Sequence, residues 1–224
     1  MSRVPTNQRI GRSTRSEQVE HTRGRILTAA ERLFAEHGVI AVSNRQISEA
    51  AGQGNNTAVG YHFGTKADLV RAIIQRHAAP MEERRAQLLD RYARSTELRD
   101  WVACVVLPFT GHLASLEPPT WYARFAAQLL AEPQLRELAA AEMHGAPMLH
   151  TVVAGLNGCL PALTPAVRAD RGEMAHMLLV HLCAQRERTL PPDRSRAAEV
   201  WSATAAGLID AIEGLFRAPV SSAV

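Results

Sequence analysis

The chain has 224 residues and a formal net charge of +3, with 46% hydrophobic and 5% aromatic residues. That apolar share supplies a core and excludes wholesale disorder, and few aromatics beside abundant alanine favour close-packed helices over a β-sandwich. The longest apolar run, residues 101–109, is nine residues long and contains Pro108, whereas a membrane-spanning helix needs about 20, so a membrane protein is excluded.

The first 25 residues carry six arginines (Arg3, Arg9, Arg12, Arg15, Arg23 and Arg25) against Glu17 and Glu20, so the rest of the chain is net −1. A basic front end is the footprint of a polyanion partner or a solvated arginine tail. Residues 1–15 read as a basic disordered arm. The start has no apolar h-region, so a cytoplasmic location is expected. Cys104, Cys159 and Cys183 lie far apart without a CxxC, which points to buried reduced thiols rather than a disulfide framework or a zinc site.

The spacing of Ile26, Ala29, Ala30, Leu33 and Phe34 predicts a first helix over 16–37, ended by Gly38. Ser43 and Gln46 form a capping box that starts a short second helix, with Ile47, Ala50 and Ala51 as its apolar face and Gly52 at its end. Residues 53–56 supply a turn. Val59 and Phe63 then pin a third short helix, whose other face carries Asn56, Thr57, Gly60 and Tyr61. Thr65 and Asp68 form a second capping box, opening a long helix over 66–92. Proline punctuation places further helices near 96–115, 119–131, 133–156, 165–188 and 194–217, with a kink expected at Pro108. No segment alternates with period two, so the class is all-α.

A short capped helix, a tight Gly/Asn turn and a second short helix with a polar outer face make a helix-turn-helix over 43–63. Asn55, Asn56 and Thr57 are the candidates for base edges, since Asn pairs with adenine and a Thr methyl meets a thymine methyl; they also suit plain turn-building. Arg45 and Gln46 can reach backbone or groove edge, although Gln46 also serves the cap. The Lys66 ammonium and the start of its helix both favour a phosphate. Arg23 and Arg25 are further phosphate candidates or ordinary surface arginines.

From residue 23 to residue 74 the chain resembles the TetR family of transcriptional regulators. The resemblance lies in Ile26-Leu27 with Ala29-Ala30, Leu33-Phe34, Gly38, Ser43, Ile47, Ala50-Ala51-Gly52, His62-Phe63 and Thr65-Lys66-Ala67-Asp68-Leu69. The chain departs from it in a turn one residue longer than the common pattern, and in Gly60 where many members carry a Tyr. The resemblance implies a DNA-binding domain over 16–65 and a helical effector-binding and dimerisation domain over 66–224. It makes Tyr61 and His62 the phosphate-contacting pair; His62 may otherwise only bond within the motif. It further implies a homodimer through the last two helices, which carry Met174, Met177, Leu178 and Val180, then Thr204, Leu208 and Ile212, with Ala203, Ala206 and Gly207 allowing close approach. A repressor released from a palindromic double-stranded operator by a small ligand follows. Trp101, Phe109, Trp121, Phe125, Met143 and Met148 are the candidate pocket residues, and few charges over 101–131 favour an apolar or aromatic effector. No cofactor, metal or catalytic residue is expected.

Two other classes stay open on the sequence. Glu173 and His176 have the ExxH spacing of carboxylate-bridged metal enzymes, though a second such motif is missing. A helical adaptor without DNA function would leave the polar face of 55–62 without a role.

Overall fold

A computed structural model describes residues 8–55, 57–160 and 163–221. Among them are ten helices and no strand. These are α1 (Gln8–His37), α2 (Asn44–Ala50), α3 (Ala58–Phe63), α4 (Lys66–Tyr92) and α5 (Leu98–Ser115). They continue as α6 (Tyr122–Ala131), α7 (Pro133–His144), α8 (Pro147–Cys159), α9 (Pro165–Arg188) and α10 (Arg194–Arg217). No helix among the described residues is long and apolar enough to cross a membrane.

The local signals set most boundaries. Helices α4, α9 and α10 match the spans expected from proline, Gly and capping residues. Thr164 and Asp193 cap α9 and α10 through their side chains. Gly38, Gly52 and Gly64 all have positive φ, the backbone that ends a helix at least cost when no Cβ is present. Two expectations change. Helix α1 starts at Gln8, so residues 8–15, expected as a disordered arm, continue it; residues 1–7 lie outside the described residues. The single helix expected over 133–156 is two, because Pro147 cannot donate into a continuing helix and instead occupies the first turn of α8. Helix α5 runs on through Pro108.

Helices α1 to α3 and the start of α4 close around Ile26, Phe34, Val42, Ile47, Val59 and Leu69, each at most 1% exposed. Burying a side chain of this size stabilises by roughly 1.5–3 kcal/mol. The longer helices form the second half of the molecule, where α10 packs on α5 and α6 on α9. Trp101, expected in a pocket, is core: its indole donates to the Ser95 carbonyl at 3.0 Å. Its ring lies where a Cβ on Gly155 would come within 2.2 Å, so the glycine is what lets α8 approach α5. Cys104 and Cys183 are buried free thiols and Cys159 is partly buried. Burial pushes Cys104 up to about 11 and Cys183 up to about 12, so they are poor nucleophiles at neutral pH.

The two halves meet in a buried polar line. Glu31 of α1, 6% exposed, accepts from His77 Nε2 of α4 at 2.9 Å, and His77 Nδ1 lies 2.7 Å from His112 Nε2 of α5. With the carboxylate accepting, His77 Nδ1 is left to accept from the His112 N–H. His112 Nδ1 then faces no partner among the described residues, which a bare lone pair tolerates better than a proton would. Tyr122, at the start of α6, stacks on His77 with centroids 3.8 Å apart and planes 15° apart. Beside it Phe34 of α1 stacks on Phe125 at 6.2 Å, so Phe125, expected in a pocket, is part of this seam.

Burial holds His112 down at about 4, with the neighbouring His77 and Arg84 adding to the effect. Glu31 from α1, His77 and Arg84 from α4 and Tyr122 from α6 face it. The unfolded chain takes up this proton below about pH 6.5, and the folded chain only below about 4. The line therefore costs stability as pH falls from 6.5 to 4, by roughly 3 kcal/mol. His112→Gln keeps a donor towards His77 but does not titrate. Chemical denaturation at pH 7 and pH 4.5 should show a smaller loss of stability in that variant than in wild type; equal losses would mean that His112 is not the titrating group.

Candidate nucleic-acid interface

Helix α2 begins with the capping box its sequence announced. Ser43 N and Oγ lie 2.8 and 2.9 Å from Gln46 Oε1, and Gln46 N donates back to Ser43 Oγ. The Gln46 carbonyl oxygen is thereby committed to the cap. Arg45 is exposed and pairs with Glu49 at 2.8 Å, an i,i+4 pair in water that is weak and readily exchanged for another partner.

In the turn, Asn55 Oδ1 accepts from Thr57 N at 2.9 Å and Thr57 Oγ1 at 2.7 Å. Asn55 and Thr57 thus build the entry into α3. Asn56 lies outside the described residues. Val59 and Phe63 are the buried side of α3, while Thr57, Gly60 and Tyr61 face outward. Tyr61 is 82% exposed, and its ring meets His62 edge-on at 5.1 Å. A Cβ on Gly60 would meet nothing within 4 Å, so the space beside Tyr61 is open. His62 itself is half-buried.

Two cations expected at phosphates are engaged inside the head. The Lys66 ammonium donates to the carbonyls of Val42 at 2.7 Å, Val39 at 3.1 Å and Ile40 at 3.4 Å. Three carbonyls match the three protons of an ammonium. The start of α4 is also taken: Asp68 accepts from Thr65 N and Oγ1 and pairs with Arg71 at 2.6 Å. Those bonds, Thr65 first, hold its carboxyl below the usual carboxylate range. The ammonium expected to attract a phosphate therefore has occupants within the head. Arg23 donates to the His62 carbonyl and lies 4.4 Å over the Phe63 ring, fastening the end of α3 to α1. Its role is a long-range contact that residue type alone does not announce. Arg25 is exposed and its guanidinium lies against Gly52, where a Cβ would come within 2.4 Å.

Behind the head, a cavity of about 210 Å³ lies among α4 to α9. Phe109 and Met143, two of the expected pocket residues, line it, together with Tyr122 and Arg85. Trp121 borders a separate groove of about 540 Å³ beside Arg25, Arg32 and Arg76, and Met148 is half-buried, its backbone N–H donating to Glu82. His176 reaches the cavity, but Glu173 is exposed and lies 3.9 Å from Arg136. Among the described residues no three His, Cys, Asp or Glu side chains gather where a metal could be held.

Residues 26–73 match the model of bacterial regulatory proteins, tetR family. Over 63 residues the chain is 40% identical to the HTH-type transcriptional repressor AcnR of Corynebacterium glutamicum, covering 28% of this chain and 33% of that protein. Over 58 residues it is 40% identical to the HTH-type transcriptional regulator TtgR of Pseudomonas putida, covering 26% and 27%. The alignments thus span a third or less of these curated relatives. The whole fold resembles NalD of Pseudomonas aeruginosa, the secondary repressor of the MexAB-OprM multidrug efflux pump. That likeness has a TM-score of 0.56 and 27% identity, over 89% of this chain and 98% of NalD.

Lys66→Met keeps the length of the side chain and removes the ammonium, leaving the Val39 and Val42 carbonyls without that donor. It should lower stability by about 1–2 kcal/mol in urea titration followed by circular dichroism; an unchanged midpoint would release Lys66 for a phosphate.

Proposed function

We propose that this chain, which belongs to the tetR family of bacterial regulatory proteins, is a DNA-binding transcriptional repressor that acts as a homodimer and is released by a small-molecule effector. The observation that carries the reading is α3. Its apolar side is fixed by Val59 and Phe63, and its outward side offers Tyr61, Gly60 and Thr57 to a major groove. Arg45 on α2 stands ready for backbone. Tyr61 has the reach and exposure for a phosphate or base edge. The DNA-binding unit is residues 16–65, and residues 66–224 serve effector and partner.

One such head spans only a few base pairs, so specificity needs two heads at a fixed distance. The free faces of α9 and α10 support pairing. Met174, Met177 and Leu178 are 53%, 46% and 36% exposed, at offsets 0, 3 and 4 on one helical side. Ala203, Ala206, Gly207 and Ala211 form the exposed side of α10, small enough for close approach. Val180, Thr204, Leu208 and Ile212, expected among the pairing residues, are buried within the chain and serve its own core.

The effector reading rests on the cavity and on Tyr122. That ring lines the cavity on one side and stacks on His77 on the other. A ligand that prefers a displaced Tyr122 shifts the population towards a head position unfit for DNA, by its differential affinity for the two states.

Selection of bound duplexes from random DNA at low salt should enrich an inverted repeat. Tyr61→Ala should then weaken binding to it at least ten-fold with the melting temperature kept; recovery of no common sequence would end the DNA reading. Once an effector is in hand, Tyr122→Leu, which fills space without the stack, should bind operator but respond to that effector at least five-fold less in fluorescence anisotropy. Full release in the variant would take Tyr122 off the route.

A further inference from the structure

The cavity behind the head has a mainly apolar wall with a few polar side chains set into it. Ile74, Phe109, Leu129, Leu149, Leu179 and Val180 are among its apolar lining. Arg85 enters from α4 and is only 8% exposed. Its Nη1 donates to Glu82, and its Nε has no hydrogen-bond partner among the described residues. A buried N–H without an acceptor is destabilising relative to a satisfied one.

The charges at the wall are already matched. Glu82 holds Arg85 and also accepts from the Met148 N–H at 3.0 Å. Glu142 accepts from Arg71 and Gln75, each at 3.0 Å. His176, the other titratable side chain there besides Tyr122, is held below the ordinary histidine range by burial, so its imidazole is neutral at pH 7. An entering carboxylate would add an unmatched negative charge beside Glu82 and Glu142 in a low-dielectric space. An entering ammonium would find both carboxylates taken. A neutral oxygen acceptor completes Arg85 without disturbing either pair.

We infer that the effector is an uncharged, mainly apolar molecule bearing a hydrogen-bond acceptor, such as an aromatic ketone or ester, whose oxygen accepts from the Arg85 guanidinium. This rests on the reading of the cavity as the effector site and narrows it to a chemical class.

The test uses four probes of similar size on the full-length protein: acetophenone, cumene, benzoate and benzylamine. Affinities are read by ligand-observed NMR titration. Acetophenone should bind at least ten-fold more tightly than cumene, which has the same outline without the acceptor, and more tightly than either ion. In Arg85→Met the ketone's advantage over cumene should fall below three-fold while cumene binding persists. Arg85→Lys, which keeps the charge but lacks the planar guanidinium, serves the same comparison if the Met variant is misfolded by circular dichroism. Ala126→Phe, at the cavity wall, should block all binding. Equal binding of acetophenone and cumene in wild type, or tightest binding of benzoate or benzylamine, would overturn the chemical class while leaving the cavity reading in place. Failure of every probe, or binding that survives Ala126→Phe, would overturn the cavity reading and the inference with it.

Discussion

The orientation of the N-terminal head depends on a buried carboxylate. Glu31 sits on α1 at the point where the head meets the rest of the chain, and it is satisfied there by His77 of α4. Removing a partner from a buried charge is far more costly than the net worth of the pair, because the desolvated carboxylate is left unpaired. Helix α1 therefore cannot roll or slide freely on α4. Since α1 also holds the end of α3 through Arg23, and Lys66 at the start of α4 holds the strand of chain between α1 and α2, the pair α1–α4 is the frame on which the outward face of α3 is carried.

The recognition segment divides its polar residues between building and reading. A six-residue helix has too few buried anchors to hold itself, and α3 buries only Val59 and Phe63. Side-chain bonds make up the difference: Asn55 to Thr57 at the turn, Ser43 with Gln46 at α2, Thr65 with Asp68 at α4. Among the described residues, the groups left pointing outward, such as Tyr61 and Arg45 with the bare Gly60 between α3 side chains, are fewer than a count of polar residues over 43–66 suggests.

That division explains what was legible in the sequence. Caps, glycine stops and prolines act within four residues, so Ser43, Thr65, Gly38 and Pro165 announced their elements, and α4, α9 and α10 came out at the expected bounds. The all-helical class and the helix-turn-helix followed from the same signals. Arg23, Lys66 and Trp101 make contacts that residue type does not announce, because their partners lie elsewhere in the fold: His62 and Phe63, the carbonyls before α2, and Gly155. An arginine or lysine near a DNA motif reads as a phosphate contact until a carbonyl 24 or 39 residues away claims it. The break at Gly145-Ala146-Pro147 was a local signal, and it was the proline at 147 that carried it.

The energetics also say where the molecule can give. Glu187 of α9, its side chain fully buried, accepts from the N–H groups of Ala123 and Arg124 at 3.2 and 2.9 Å. It thereby caps the first turn of α6, whose first residue is Tyr122. Hydrogen bonds to a charged group contribute roughly 1.5–3 kcal/mol each, so α6 is tied to α9. On its other side α6 meets the α1–α4 frame through the stacks of Tyr122 on His77 and Phe34 on Phe125. Such pairs add only about 0.5–1.5 kcal/mol each beyond the area they bury, and stacked faces can slide where a carboxylate clamp cannot. A micromolar ligand brings about 8 kcal/mol of binding free energy, of which a modest differential share is enough to shift a seam of this kind. The surface of least resistance thus runs between α6 and the α1–α4 frame, with the cavity on one side and the head on the other.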